Sequence, residues 1–259
     1  MAITLRSRRE IELVKKAGMV VAEVLLKLKD AAVPQVSTAE LNRIAEDVTK
    51  EFGVTALFKG VKNPYGKRAF PAAICASINQ QVVHGIPSEK VKLQEGDILS
   101  IDFGARLDGY CADAAVTLAI GEINSDRQRL IDVTKQMLDI AIQQSKAGVK
   151  WSSIAGMMQK CAESAGFSVV TEFVGHGIGT EMHEEPKVQN FVNNELLKND
   201  ILLQKGMIIA VEPMVNAGTS SVVTLNDGWT VVTRDGKPSA HFEHTIAITE
   251  TGCEVLTVK

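Results

Sequence analysis

The chain has 259 residues, 45% of them apolar and 23% charged, and a formal net charge of −3 at pH 7. This composition is typical of a globular protein with a large core, as one large domain or two small ones, and the slight negative charge indicates no nucleic-acid or anionic-membrane partner. Because apolar runs are short and the first residues are polar, we expect neither a membrane-spanning helix nor a signal peptide.

The cysteines are scattered, at positions 75, 111, 161 and 253. No Cys-x-x-Cys pair occurs, so neither a zinc knuckle nor a redox motif is indicated. Reduced thiols in a cytoplasmic protein fit this spacing best. The motifs GxSxG, GxxxxGK[ST] and HExxH are also absent from the sequence, which argues against three common catalytic classes.

We predict helices over residues 7–30, 36–53, 126–146 and 149–166. The second and fourth show an apolar stripe with helical spacing and a glycine just past their ends. Ser7-Arg8-Arg9-Glu10 has the sequence of a capping box, which would begin the first helix.

Residues 100–117, "SIDFGARLDGYCADAAVT", predict a buried β-hairpin. Apolar residues alternate on both sides of Asp108-Gly109, a strong two-residue turn signal. This turn places Asp102 opposite Ala115 and Asp113 opposite Gly104, so both aspartates lie on the same face of the sheet. Two carboxylates this close are unfavourable unless a positive charge lies between them.

The sequence also contains an internal repeat. "KLQEGDILSID" (92–102) matches "LLQKGMIIAVE" (202–212), and "VVHGIPSE" (82–89) matches "VGHGIGTE" (174–181). In each half, two predicted helices come first, then the His-Gly-Ile segment, and then the strand that ends in an acid. We therefore predict a single α+β domain over residues 1–259, with two pseudo-symmetric halves of about 1–120 and 121–259 that share one sheet.

The second half supplies two further acids on predicted strands, Glu212 in "MIIAVEPMV" and Glu243 in "HFEHTIAIT". His176 lies nearby at a glycine-flanked turn, where glycine allows close approach of the backbone. Each acid alone could equally be a solvated or salt-bridged structural carboxylate. If the repeat brings the halves face to face, four carboxylates and one imidazole converge, which predicts two divalent cations such as manganese, iron, cobalt or zinc.

The stretches "IDFGARLDGYCADAAVT", "GHGIGTEMHEEP", "IAVEPMVNAG" and "AHFEHTIAIT" resemble the methionine aminopeptidases of the short bacterial type I form, over residues 5 to 257. The resemblance implies a pita-bread fold, an antiparallel sheet with helices on the outside, and a dinuclear metal centre. It also implies an enzyme that removes the initiator methionine of nascent proteins when the second residue is small.

The same resemblance assigns residue roles. Asp102 would chelate one ion, Asp113 and Glu243 would bridge, and His176 with Glu212 would complete the other. A bridging water would attack the scissile carbonyl while Glu212 handles its proton. His183 and His84 match the substrate-contacting histidines, and a set of residues matches the methionine pocket: Cys75, Tyr65, Phe70, Met182 and Trp229.

The sequence departs from the usual bacterial pattern in three places. Met182 stands where phenylalanine is usual, the segment 58–75 is longer than the usual tyrosine-bearing loop, and His241-Phe242 replaces Gln-Tyr. The first two departures affect the shape of the methionine pocket and leave the hydrolytic chemistry as it is.

Two alternative functions remain at this point. An Xaa-Pro aminopeptidase or prolidase would keep the fold and the metals, but such enzymes usually carry a large domain before the first metal ligand. A metal-free binding module on the same fold would be expected to lack ligands, whereas all five positions here hold competent residues.

We expect a cytoplasmic monomer that acts on the N-termini of nascent polypeptides, with no direct nucleic-acid function and no membrane association. The sequence leaves open a transient contact with the ribosome and the identity of the physiological metal, because the same ligands accept several divalent ions.

Overall fold

The computed structural model describes residues 3–63 and 66–259. The helices of this part of the chain are α1 (Arg8–Ala31), α2 (Thr38–Glu51), α3 (Ser125–Gln144), α4 (Trp151–Ser164) and α5 (Asn194–Lys198). The predicted helices are confirmed as α1 to α4, with ends displaced by one or two residues. Helix α5 was not predicted, because its 5 residues are too few to show a helical period.

The capping box predicted at the start of α1 is confirmed. The Ser7 hydroxyl accepts a hydrogen bond from the Glu10 N–H, and the Glu10 side chain accepts one from the Ser7 N–H. Ser37 and Glu40 form the same arrangement at the start of α2. These reciprocal bonds satisfy N–H groups that have no partner within the helix.

The strands of the first half are β1 (Thr55–Ala56), β2 (Cys75–Ile78), β3 (Gln81–Val83), β4 (Ile98–Leu107) and β5 (Tyr110–Ala119). Those of the second half are β6 (Ser168–Val169), β7 (Gly175–Gly177), β8 (Glu184–Val188), β9 (Ile208–Val211), β10 (Met214–Asn216), β11 (Val222–Thr224), β12 (Val231–Thr233), β13 (Ser239–His241), β14 (Glu243–Ile248) and β15 (Cys253–Val255).

Within the described residues, the largest sheet has nine strands and runs through both halves of the chain. Its main path is β1-β4-β5-β14-β9-β7-β8, with β2 beside β4 and β15 beside β14. Neighbouring strands in this path are antiparallel. The predicted hairpin is confirmed as β4 and β5, with Asp102 opposite Ala115 and Gly104 opposite Asp113.

The two halves make equivalent contacts just before α2 and α4. An isolated bridge joins Ser37 to Lys92, and a second joins Lys150 to Leu202. Lys92 and Leu202 begin the two segments that were matched as repeats. These bridges favour the predicted pseudo-symmetry, while the division near residue 120 stays a prediction.

Helices cover one face of the sheet. The apolar sides of α1 and α2 form one core with alternate residues of β4 and β5, including Phe103. A second core joins α3 and α4 to apolar residues of β9 and β14. Because side chains alternate along β4, Asp102 lies on the face opposite Phe103. The predicted α+β architecture, with helices outside an antiparallel sheet, is confirmed.

None of the helices in the described ranges combines the length and the apolar character that crossing a bilayer requires.

Candidate metal centre and substrate pocket

Three acids lie on one face of adjacent strands at the middle of the sheet. Asp102 of β4 is opposite Ala115 of β5, and Ala115 is opposite Glu243 of β14. Asp113 precedes Ala115 by two positions, so its side chain points to the same face. The pairing of β5 with β14 is therefore what brings the acids of the two halves together.

The next strands complete the group. His176 of β7 is opposite Ala210 of β9, and Glu212 directly follows β9. His176 Nε2 lies 3.4 Å from Asp113 Oδ2 and 3.5 Å from Glu212 Oε1. The residues predicted as metal ligands thus lie on, or at the end of, the consecutive strands β4, β5, β14, β9 and β7.

The structure brings the ligand atoms of Asp113, His176 and Glu243 within 4.8 Å of one another. His176 Nδ1 lies 2.9 Å from the carbonyl oxygen of Gly177. A proton on Nδ1 would be donated to that carbonyl and would leave the Nε2 lone pair directed at the carboxylates. This is the tautomer that a metal-ligating histidine requires.

Burial and mutual repulsion change the protonation of the acids. Burial, followed by the charges of Asp113 and Glu212, raises the pKa of Asp102 and also that of Glu243. Burial raises the pKa of Glu212 to about 8, with His176 lowering it and Asp113 raising it. Without a cation, the cluster therefore retains protons that isolated carboxyl groups would lose.

The pKa of the His176 imidazole is also raised, but by the neighbouring carboxylates and not by burial. Burial alone would lower the pKa of His176, but Asp113 and Glu212 raise it to about 9. A proton on His176 thus provides a positive charge between the acids. A divalent cation would supply that charge more effectively and would displace the proton.

The donor set fits divalent metal ions. Among the described residues, the buried Oδ1 of Asp102 has no hydrogen-bond partner, which is costly for a carboxylate oxygen. Ligation by a cation would satisfy that atom. Four carboxylates with one imidazole suit manganese, iron, cobalt or zinc, and do not resemble a thiolate site.

The side chains of these acids line a cavity of about 180 Å³. Almost all of the predicted site residues line it, namely Phe70, Cys75, His84, Asp102, Asp113, His176, Met182, His183, Glu212, Trp229 and Glu243. Tyr65 lies outside the described residues. Phe58 and Val61 also line the cavity but were not predicted individually, because the segment 58–75 has no helical or strand period that identifies its inward-facing side chains.

One wall of the cavity is apolar. The rings of Phe70 and Trp229 meet edge to face with centroids 5.3 Å apart, and they pack with Phe58, Val61 and Cys75 in a small cluster. Trp229 Nε1 donates to the Arg68 carbonyl at 2.7 Å, which fixes the indole ring. The pocket thus has an acidic floor and an aromatic wall.

Cys75 belongs to both the core and the pocket. It is buried on β2 directly opposite Asp102. Burial, with a contribution from the Asp102 charge, raises the pKa of its thiol well above the usual value. A neutral thiol is weakly nucleophilic, so Cys75 contributes an apolar lining surface and not a reactive group.

His84 and His183 enter the pocket as neutral imidazoles. Burial, followed by the charge of His183, lowers the pKa of His84 to about 4. Burial and the neighbouring His176 lower the pKa of His183, whose ring centroid is 4.3 Å from that of His176. His84 also has φ of 59°, an uncommon backbone conformation that is found mainly in turns and functional sites.

Two residues near the acids were not predicted as part of the site. Asp113 N–H donates to the Thr245 hydroxyl, whose oxygen lies 3.0 Å from Asp113 Oδ1. His241 Nε2 lies 3.9 Å from Glu212 Oε2. His241 precedes Glu243 by two positions and Thr245 follows it by two. Alternation along a strand would place all three side chains on the same face, and that spacing is the sequence signal that could have indicated them.

Comparison with known proteins gives a consistent family assignment. Metallopeptidase family M24 matches residues 12–250. The chain is 44% identical over 257 residues to a methionine aminopeptidase of Aquifex aeolicus, with 99% of each chain covered. It is 46% identical over 256 residues to one of Clostridium acetobutylicum, again with 99% of each chain covered.

Comparison with solved structures gives the same family assignment. The methionine aminopeptidase of Thermotoga maritima superposes with a TM-score of 0.93 at 40% identity and full coverage of both chains. The prolidase of Pyrococcus furiosus reaches a TM-score of 0.73 at 19% identity, with 65% of that chain covered, so it shares the fold alone. These matches confirm the pita-bread fold and the family resemblance drawn from the sequence motifs.

Proposed function

The chain belongs to metallopeptidase family M24 and is a metal-dependent hydrolase, and on that premise we propose that it removes N-terminal methionine from nascent polypeptides. The observation that carries the proposal is the acidic floor of the pocket. There Asp113, His176 and Glu243 converge below a small apolar wall. Full-length relatives named methionine aminopeptidase support the choice of substrate.

The metal would be held by Asp102, Asp113, His176, Glu212 and Glu243. Four carboxylates and one neutral imidazole carry a charge of −4, which two divalent ions would balance, so we propose a site for two ions. Divalent ions held there would supply Lewis-acid activation of water and of the scissile carbonyl.

The pocket suits one apolar side chain. A protein cavity of about 150 Å³ can hold a molecule of six heavy atoms, and this cavity measures about 180 Å³. The side chain of methionine has four heavy atoms, and Met182, Phe70 and Trp229 would contact its thioether. Aromatic rings are favourable neighbours for sulfur.

The remaining side chains would handle protons and orientation. Glu212, whose Oε1 lies 3.5 Å from His176 Nε2 in the ligand group, would accept and return the proton of the attacking water. His183, neutral because of burial, would donate a hydrogen bond to the carbonyl oxygen as negative charge develops there. His84, also neutral, would contact the peptide nitrogen side of the scissile bond.

We further propose that the protein acts in the cytoplasm as a monomer, on chains that are still being synthesised. The scattered cysteines, free in the structure, support a reducing compartment. The slight negative charge gives no reason to expect a direct nucleic-acid function, and any contact with the ribosome would be transient.

A peptide panel tests the substrate assignment. Met-Ala-Ser should exceed Leu-Ala-Ser by more than about tenfold in kcat/KM, because one wrongly shaped side chain in such a pocket costs about 1–3 kcal/mol. Met-Ala-Ser should exceed Met-Lys-Ser by more, since only a small second residue is expected to fit. Equal rates for Met, Leu and Phe at the first position, or faster cleavage of Xaa-Pro peptides, would overturn the assignment.

A further inference from the structure

The turn of residues 179–184 carries Met182 and His183 into the pocket. In the part of the chain that the structure describes, the His183 imidazole makes no hydrogen bond of its own, and its ring lies against that of His176. The position of His183 is therefore set by the backbone of this turn. Whatever holds the turn also holds the imidazole.

Glu184, the residue after His183, ties the turn together. Its Oε1 accepts hydrogen bonds from the Thr180 N–H at 2.8 Å, the Thr180 hydroxyl at 3.1 Å and the Glu181 N–H at 3.1 Å. Burial would raise the pKa of Glu184, but the bonds from Glu181 and Arg6 outweigh it, so that the pKa is lowered. The carboxylate is thus an ionised acceptor at the centre of the turn.

Arg6 binds this carboxylate from the segment that precedes α1. Its Nη2 lies 2.7 Å from both carboxylate oxygens of Glu184, and the side chain is only 9% exposed. Its own N–H donates to the Gly206 carbonyl at 2.7 Å, and Nη1 lies 3.3 Å from Glu10 Oε1. Arg6 is therefore fixed at both its backbone and its guanidinium.

The turn fits closely around the guanidinium. A Cβ added at Gly179 would lie 2.5 Å from Arg6 Nη2, so any larger residue there would have to displace the guanidinium. A second arginine, Arg106, also binds the turn, through Glu181 at 3.0 Å. That pair is on the surface, with side chains 36% and 70% exposed, where ion pairs contribute little.

We propose that Arg6 is a positioning residue for hydrolysis: through Glu184 it holds the 179–184 turn so that His183 faces the scissile carbonyl. The inference rests on the proposed function, in which His183 donates to the carbonyl oxygen. A charge-assisted, partly buried pair is well suited to this task. Displacement of a positioned donor by about 1 Å can cost up to about 10²-fold in rate.

A double-mutant cycle tests the proposal, with Arg6→Ala, His183→Ala and the combined variant assayed on Met-Ala-Ser. Arg6→Ala should lower kcat by about tenfold to a hundredfold, with KM and bound metal within about twofold of wild type. In the His183→Ala background the same substitution should change kcat by less than about twofold, because the residue through which it acts is gone.

Two further variants serve as controls. Arg106→Ala removes the exposed arginine of the same turn and should leave kcat within about twofold. Arg6→Lys keeps the charge but not the planar fork, so it should restore part of the lost rate. If Arg6→Ala does not fold, as judged by circular dichroism and melting, Arg6→Lys takes its place in the cycle with a smaller expected loss.

The outcomes separate this inference from the proposed function. Wild-type cleavage of Met-Ala-Ser, with a strong loss in His183→Ala, supports the proposed function whatever Arg6 does. An equal loss from the Arg6 substitution in both backgrounds would overturn the positioning role, as would an unchanged kcat in folded Arg6→Ala. Failure of wild type to cleave the peptide would instead overturn the proposed function.

Discussion

At the residue scale, the buried ring of His176 lies between two carboxylates of the site. Its Nε2 is 3.4 Å from Asp113 Oδ2 and 3.5 Å from Glu212 Oε1. Its Nδ1 is directed at the Gly177 carbonyl, so the backbone beside it determines which nitrogen is free to bind a cation. Replacing this imidazole with a side chain that has no ligand atom should therefore weaken the binding of metal.

We therefore predict that His176→Ala lowers kcat/KM on Met-Ala-Ser by at least about a hundredfold and weakens metal binding, because one ligand is removed from the group that activates water. Steady-state kinetics and isothermal titration with Mn²⁺ measure the two effects. His244→Gln is the matched control, since His244 lies on the other face of β14 and bonds Thr257. A folded His176→Ala protein with the wild-type rate would contradict a metal centre at this position.

His183 should behave differently, because we propose that it contacts substrate and does not bind metal. His183→Ala is expected to lower kcat by about 10²–10³-fold, the usual cost of losing a donor to a developing oxyanion. Metal content, measured by elemental analysis, should stay at the wild-type level. A parallel loss of metal and rate would make His183 a ligand, and an unimpaired kcat would refute its proposed role.

At the element scale, the site depends on which strands are neighbours. The register of β4 against β5 could be predicted because Asp108-Gly109 fixes the turn, and with it the positions opposite Asp102 and Asp113. The pairing of β5 with β14 could not be read from alternation, because a period of two says nothing about which strand lies alongside. The internal repeat indicated only that the acids of the two halves would converge if the halves face each other, and the pairing itself is seen in the structure.

The pocket wall was less accessible to sequence reasoning. Phe58 and Val61 line it from a segment without regular secondary structure, where no period marks the inward-facing residues. The ion pair between Arg6 and Glu184 was also not predicted, because the two residues are 178 positions apart and neither belongs to a repeated motif. Contacts of this kind are fixed by tertiary packing and not by local pattern.

Strand β7 offers a test at the element scale. A Cβ at Gly177 would lie 2.2 Å from the Glu185 carbonyl oxygen, so Gly177→Ala must push β7 away from β8. We predict a melting temperature at least about 4 °C lower, together with weaker metal binding through His176. Gly252→Ala is the control, because no described atom lies within 4 Å of an added Cβ there, and its melting temperature should change by less than about 2 °C. Equal melting of wild type and Gly177→Ala would contradict this close packing.

At the scale of the whole molecule, the acid cluster makes stability depend on pH and on metal. The folded, metal-free protein holds protons on Glu212 and His176 up to about pH 8 and 9, whereas their ordinary pKa values are 4.5 and 6.5. Between pH 7 and 9 the folded state therefore binds more protons than the unfolded state, and the free energy of unfolding falls as pH rises.

We predict that protein treated with EDTA and dialysed melts at a lower temperature at pH 9 than at pH 7. With saturating Mn²⁺ the decrease should be smaller, because a cation binds the deprotonated ligands in the folded state. Differential scanning fluorimetry at pH 7, 8 and 9, with and without the ion, measures both curves. A metal-free melting temperature that is level or rising over this range would show that the acids are not held protonated.

The central claim is that this chain is a hydrolase whose activity depends on metal bound by these strand-borne residues. The most direct measurement removes bound metal by chelation, confirms by circular dichroism that the fold persists, and follows Met-Ala-Ser hydrolysis as Mn²⁺ or Co²⁺ is added back. The account predicts that hydrolysis is lost on chelation and returns in proportion to bound metal, up to two ions per chain. Full hydrolysis by the folded, metal-free protein would contradict it.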